Sequence, residues 1–284
     1  MTIAVAGNFT EGVVFGAESA ITYVESGKVA QVYEGAQKIY HLGSRADCSD
    51  SPYGAMIYGA ASFEGQSWRN LLANFRRQNP HAQYDAAEKL ANALTAYLER
   101  VQPDRAKRPD GGLFLAGYGA GDTEVRCFRI DVPSLQLLPV QMESVHFDGM
   151  PHVVQRLLFG IDEQTEKHFE KLFEGITLDV QSGSDVQKIP LVTIIVDCIK
   201  GGYPKCEPDV DMPLRDAIDY VHFLVYSTVK QFKFGHGAKL CGGDIELAVV
   251  TLDRGFRRIR RKPLDAFVPL SGYSDKRGSQ GYDV

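Results

Sequence analysis

Extended apolar runs stand at the start of this sequence and just before its polar tail, and two stretches of helical periodicity, each holding a pair of helices, separate three groups of strands. Ile3 and Val5 alternate with small residues, Asn8 to Gly12 carries turn chemistry, and Gly12-Val-Val-Phe-Gly-Ala resumes an extended run, so an antiparallel hairpin is expected from residue 2. A second extended pair is expected at 28–33 and 38–42, around Glu34-Gly35. A polar loop over 43–53 and a short apolar strand over 54–59 follow.

The first helical pair falls at 66–75 and from residues 84–85 onward. In the second of these, Asp85 and Glu88 have capping-box spacing, and Leu90, Leu94, Tyr97 and Leu98 form one apolar stripe. Strands return at 112–118, 125–132 and 137–140. Residues 150–175 are helical in pattern with a break near Gly160, a strand is expected at 191–198, and a strong helix covers 214–230. Strands at 244–252 and 256–260, joined by Asp253-Arg-Gly, close the pattern. Antiparallel strands with helices added in pairs predict an α+β fold, a four-layer αββα sandwich of two antiparallel sheets.

Size and charge narrow the functional classes. The 284 residues suffice for one large domain or two small ones. Motif order favours a single domain over 1–262, with an insertion at about 161–212 and a polar tail at 263–284. With 31 basic and 36 acidic residues, the net charge of −5 argues against a nucleic-acid binder, which needs a basic surface to displace counterions. The Arg257-Arg-Ile-Arg-Arg-Lys262 cluster reads as a solvated strand edge. No apolar run is long enough to span a membrane, and the start does not read as a signal peptide. Five cysteines without CxxC spacing suit a reducing cytoplasm. No HExxH or paired histidine spacing occurs, so no metal or cofactor is assigned.

The chemistry-bearing segments follow the same order. Met1-Thr2-Ile-Ala-Val exposes a threonine once Met1 is removed. Gly12-Val-Val-Phe-Gly-Ala-Glu-Ser, Gln37-Lys38-Ile-Tyr-His-Leu and Ile57-Tyr-Gly-Ala-Ala come next. Then follow Gly112-Gly-Leu-Phe-Leu-Ala-Gly-Tyr, Cys127-Phe-Arg-Ile-Asp, and Gly242-Gly-Asp-Ile-Glu-Leu-Ala-Val-Val-Thr with Gly255-Phe. In order and spacing these segments resemble the proteasome β-subunit family and its bacterial relative HslV, which are N-terminal-nucleophile (Ntn) hydrolases. The resemblance covers residues 2–160 and 212–262.

The resemblance implies a threonine peptidase or amidohydrolase that forms an acyl-enzyme on Thr2. A threonine hydroxyl needs an adjacent base, and a first-residue threonine carries one in its own α-amine, which titrates near pH 8 when unperturbed. By the family pattern Lys38 is the buried cation beside the nucleophile, and Glu18 stands where the family's aspartate orients that lysine. Gly59 matches the glycine whose N–H donates to the oxyanion. The family's DxxSGG-like segment appears as Ala238-Lys-Leu-Cys241-Gly-Gly, and Asp148 or Gly149 falls where the family has a serine, so Asp148 and Cys241 are candidate supporting residues. Taken alone, Cys241 reads more simply as a small buried hydrophobe. The resemblance further implies peptide or unfolded-protein substrates, a homo-oligomeric ring or spiral, and an ATPase unfoldase as a candidate partner. Two rival readings are a catalytically inactive scaffold subunit and an Ntn amidase acting on small molecules.

Overall fold

In the computed structural model the described residues are 2–25, 28–43, 52–80, 83–142, 144–182, 185–202, 206–209, 211–236 and 240–260. In chain order they form β1 (Ile3–Phe9), β2 (Gly12–Ala17), β3 (Ile21–Glu25), β4 (Lys28–Tyr33), β5 (Ile39–His41), β6 (Tyr53–Gly59), β7 (Ser62–Phe63) and β8 (Gln66–Ser67). Helices α1 (Trp68–Gln78) and α2 (Ala87–Val101) come next, then β9 (Gly111–Gly117), β10 (Arg126–Asp131), β11 (Gln136–Val140) and β12 (Ser144–Gly149). The last part comprises α3 (His152–Phe159), α4 (Glu163–Leu172), β13 (Thr177–Ser182), β14 (Asp185–Pro190), α5 (Leu191–Gly202), α6 (Leu214–Phe234), β15 (Glu246–Thr251) and β16 (Gly255–Arg260).

The alternation in β1 explains the layering. Successive side chains of a strand point to opposite faces, and β1 is buried along its whole length. Ala4 and Ala6 face Phe15, Ile39, Phe114 and Ala248 in a core between two sheets. Ile3, Val5 and Phe9 face the other way, against Val154 and Leu158 of α3 and Ala217, Val221 and Val225 of α6. A third core lies beyond the second sheet, where Ile57, Leu113, Leu115 and Ile130 meet Leu71 and Phe75 of α1 and Leu90, Leu94 and Leu98 of α2. The result is four layers, αββα, as the sequence predicts. One sheet has the order β12-β1-β2-β15-β16 and the other β11-β10-β9-β6-β5, with antiparallel neighbours throughout. Close inter-layer approach needs small residues: a Cβ on Gly16 would come within 2.6 Å of Val221 of α6.

Several local expectations are corrected. The extended pair at 28–33 and 38–42 does not form: β4 pairs with β3, and β5 pairs with β6. Residues 21–25 follow the buried Ala17–Ala20 segment directly and reach β4 through a short connection, which makes them the nearer partner. The first helix begins at Trp68, because Ser67 accepts from Asn70 N–H (3.3 Å) as its N-cap and Gln66 belongs to a short strand. The Asp85–Glu88 capping box is absent. Asp85 pairs with Lys89, and the free N–H of Ala87 is taken by Asp122 from a distant turn (3.1 Å). Residues 191–198 are the helix α5 and not a strand. Its β-branched residues favour a strand locally, but one turn of it is tied to α4 through Lys200 and Glu166 (3.2 Å). The break near Gly160 is a left-handed C-cap (φ 78°), followed by the Asp162 N-cap of α4. Strand β12 and the β13–β14 hairpin have no counterpart among the expected strands. The expected tail at 263–284 and most of the loop at 43–53 lie outside the described residues. Among the described residues, no helix is long and apolar enough to cross a membrane.

Candidate active site

Thr2 is held at the start of β1 by its neighbours in the sheet. Ile3 pairs with Gly149 of β12, and Glu18 N–H donates to the Ile3 carbonyl (3.4 Å). Gly149 has φ of +91°, and a Cβ there would lie 1.8 Å from the Thr2 carbonyl oxygen. Only glycine lets the two backbones come this close.

Lys38 reaches Thr2 from the segment that enters β5. Its ammonium donates to Thr2 Oγ1, to Glu18 Oε1 (2.5 Å) and to the Ala20 carbonyl (2.7 Å). Three acceptors match the three N–H bonds of a protonated lysine. Thr2, Glu18 and Lys38 are all buried. Glu18 is fixed in turn, since its second oxygen accepts from Ala20 N–H (2.5 Å) and Gly242 N–H (3.2 Å). Burial pushes the Lys38 pKa down, and the negative charge and hydrogen bond of Glu18 oppose that shift, with further help from Cys241 and Glu246.

Gly59 ends β6 with φ of +83°, in register with Gly111. A Cβ there would meet Gly111 Cα at 2.5 Å and the Asp110 carbonyl at 2.6 Å, so the turn requires glycine. Gly59, Thr2 and Lys38 line one cavity of ≈ 720 Å³, with Ile57, Tyr40 and Glu246 among its other walls.

Cys241 is buried beside the same cluster, where Ile3 N–H points at its sulfur; burial, followed by the charge of Glu18, pushes the thiol pKa well up. Asp148 sits on β12 opposite Ala4, next to Gly149. Its carboxylate pairs with Arg129 (2.6 Å) and accepts from Gly149 N–H (3.0 Å), and Arg129 also donates to the Tyr58 hydroxyl (2.8 Å). The structure therefore gathers Thr2, Glu18, Lys38, Gly59 and Cys241 around one cluster and cavity, and it sets Asp148 one strand away, facing Arg129. Ala238 lies outside the described residues.

Two residues at the site escape motif reading. Glu246 is buried and its Oε2 accepts from the backbone N–H of Lys38 (2.8 Å) and of Ile39 (3.2 Å). Arg258 lies 3.8 Å from Glu246 and donates to the Ile39 carbonyl (2.6 Å). The signal for Glu246 is present in the sequence: a charge interrupts the apolar run Ile245-Glu-Leu-Ala-Val-Val250 and must find partners if that strand is buried. Among the described residues, no group of three or more His, Cys, Asp or Glu side chains could hold a metal ion.

Two antiparallel sheets between helix layers give the proteasome-like, Ntn-type fold, and a threonine leads its first strand. Solved structures that share it include Anbu (ancestral beta-subunit) from Yersinia bercovieri, at 13% identity and a TM-score of 0.54. A Gly-1 mutant of Anbu from Hyphomicrobium sp. strain MC1 matches at 12% identity and a TM-score of 0.53. Each comparison covers 91% of this chain and 87% of the Anbu chain. No protein-family model and no curated protein matches the sequence.

Proposed function

We propose that this protein is an N-terminal threonine hydrolase that cleaves peptide bonds through an acyl-enzyme on Thr2 once Met1 has been removed. The observation that carries the reading is the hydrogen bond from Lys38 Nζ to Thr2 Oγ1, with Glu18 buried behind the lysine and a cavity in front.

In this mechanism Thr2 Oγ attacks the substrate carbonyl carbon while the Thr2 α-amine accepts the hydroxyl proton, directly or through water. The Lys38 ammonium stabilises the oxygen as it loses that proton, and Gly59 N–H donates to the carbonyl oxygen as it becomes an oxyanion. Collapse of the tetrahedral intermediate breaks the C–N bond. The leaving amine takes the proton from the α-ammonium and an ester remains on Oγ. Water, deprotonated by the same amine, then hydrolyses the ester and restores Thr2. The same reading includes peptide or unfolded-protein substrates, assembly of identical copies into a ring or spiral with sites facing an inner chamber, a cytoplasmic setting, and an ATP-dependent unfoldase as the class of partner.

Intact mass of the purified protein and labelling with a peptide epoxyketone test it. Capture by that reagent needs both the threonine hydroxyl and a free α-amine. The expected result is loss of Met1 and a single adduct, absent in Thr2→Ala and in Lys38→Ala. Met1 retained on functional protein sinks the reading. Labelling that survives Thr2→Ala moves the nucleophile elsewhere.

A further inference from the structure

Glu246 is a buried carboxylate at the cavity wall that the reaction above leaves unused. We propose that it is a positioning residue, which pins the Lys38 backbone through two N–H bonds and acts as a second counter-charge that keeps the Lys38 side chain an ammonium beside Thr2. The inference rests on the reading of Lys38 as the cation of the site.

The geometry separates two roles. Glu246 Oε2 takes the N–H groups of Lys38 and Ile39, which fixes where the chain turns into β5 and so where the Lys38 side chain starts. A glutamine would offer the same carbonyl-type acceptor to those two donors. The negative charge is therefore not needed for the backbone bonds alone, and a buried charge is costly unless it is compensated. Among the described residues, Arg258 from β16 lies 3.8 Å from Oε1, and the Lys38 ammonium feels the Glu246 charge from the backbone that Glu246 holds. Tyr40 of β5 also faces it, and burial followed by the nearby Glu246 charge pushes that phenol pKa up. Around Lys38 itself stand Glu18 beyond β2 and Cys241 before β15, and Arg69 of α1 faces Tyr40. Glu18 takes one N–H of the Lys38 ammonium, whereas Glu246 acts on it through space and through its main chain.

Arg258 makes the idea testable by sign. Removing the Glu246 charge withdraws support from the Lys38 ammonium, while removing the Arg258 charge takes away a cation that offsets Glu246 and so lets more of the Glu246 charge act on Lys38. The full chain is labelled with ¹⁵N-lysine and the Nζ resonance that vanishes in Lys38→Arg is titrated in wild type, Glu246→Gln and Arg258→Gln. The pH dependence of peptide-epoxyketone adduct formation is followed in parallel by intact mass. Glu246→Gln is expected to lower the Lys38 titration and the alkaline limb of labelling by roughly one pH unit, and Arg258→Gln to raise both. An unchanged titration in Glu246→Gln, or shifts of the same sign in both variants, as simple loosening would give, overturns the proposal. Opposite shifts in a protein that forms no adduct would uphold the Glu246–Lys38 coupling and refute the hydrolase reading. Adducts with no shift would do the reverse.

Discussion

Arg129 lies 2.6 Å from Asp148 and donates to the Tyr58 hydroxyl at 2.8 Å, so one guanidinium joins the strand that carries Gly149 to the strand that ends in Gly59. These are the strands that hold Thr2 on one side of the cavity and the proposed oxyanion donor on the other. Arg129 also packs over the Tyr58 ring, 5.8 Å from its centroid.

The pair is about a third exposed, which makes it a weak contributor to stability. Arg129→Met is expected to lower unfolding free energy by less than about 1 kcal/mol in urea titrations. Epoxyketone adduct formation is expected to slow by about tenfold, or roughly 1.4 kcal/mol in the barrier, because the two sides of the site lose their common tie. Arg129→Lys keeps the charge without the forked geometry and should fall between the two. An unchanged labelling rate in Arg129→Met would show that the bridge does not position the site.

The buried Lys38–Glu18 pair sets a second expectation. Lys38→Met leaves a buried carboxylate without its cation and should cost about 3–5 kcal/mol. The double variant Lys38→Met/Glu18→Leu should recover much of that loss. The sign of the pH dependence follows from the lowered Lys38 pKa. Between the folded value and the ordinary 10.5, the unfolded chain binds the extra proton, so wild-type stability rises with pH across that window relative to Lys38→Met. Urea midpoints of both proteins across that range check the slope.

Gly149→Ala sets a Cβ against the Thr2 carbonyl and forces an alanine to a φ of +91°. The expected cost exceeds about 1 kcal/mol. Labelling should fall further than stability under conditions where the variant remains folded, because the displaced group is Thr2 itself.

Among the described residues, the thiols sort by burial. Cys198 and Cys206 are exposed, while Cys127 and Cys241 are buried with pKa values pushed up by burial. Iodoacetamide at about pH 8 should modify the first two in the folded protein and reach Cys127 and Cys241 only after denaturation. Peptide mapping reads the result. Rapid native-state alkylation of Cys241 would mean that the cluster around Thr2 opens.

The layers, and the gathering of Thr2, Glu18, Lys38 and Gly59 into one candidate site, are legible in the sequence because their signals are local. The alternation in β1 and β2, the stripe of α2 and the glycine at the Gly59 turn are each written within a few residues. Pairing choices were less so: 28–33 can meet either neighbour, and only the arrangement of Ala17–Ala20 and β6 decides. The Ala87 cap was invisible because its acceptor, Asp122, is far away in sequence. α5 misled because β-branched residues fit a strand locally, while its contacts with α4 are tertiary. Glu246 announced a buried charge in its strand but not its partners. Those come from β16 and from the chain entering β5.

The burial of Thr2 has a consequence for timing. Its side chain is tied to Lys38, its carbonyl is pressed against Gly149, and its exposure is 2%. An aminopeptidase must draw the first residues into its own cleft, which this packing opposes. On the proposed reading, excision of Met1 therefore belongs to the nascent chain, before β12 closes over β1. On the same reading, a copy that folds with Met1 in place keeps its Thr2 amine inside a peptide bond and lacks the base that the hydroxyl needs.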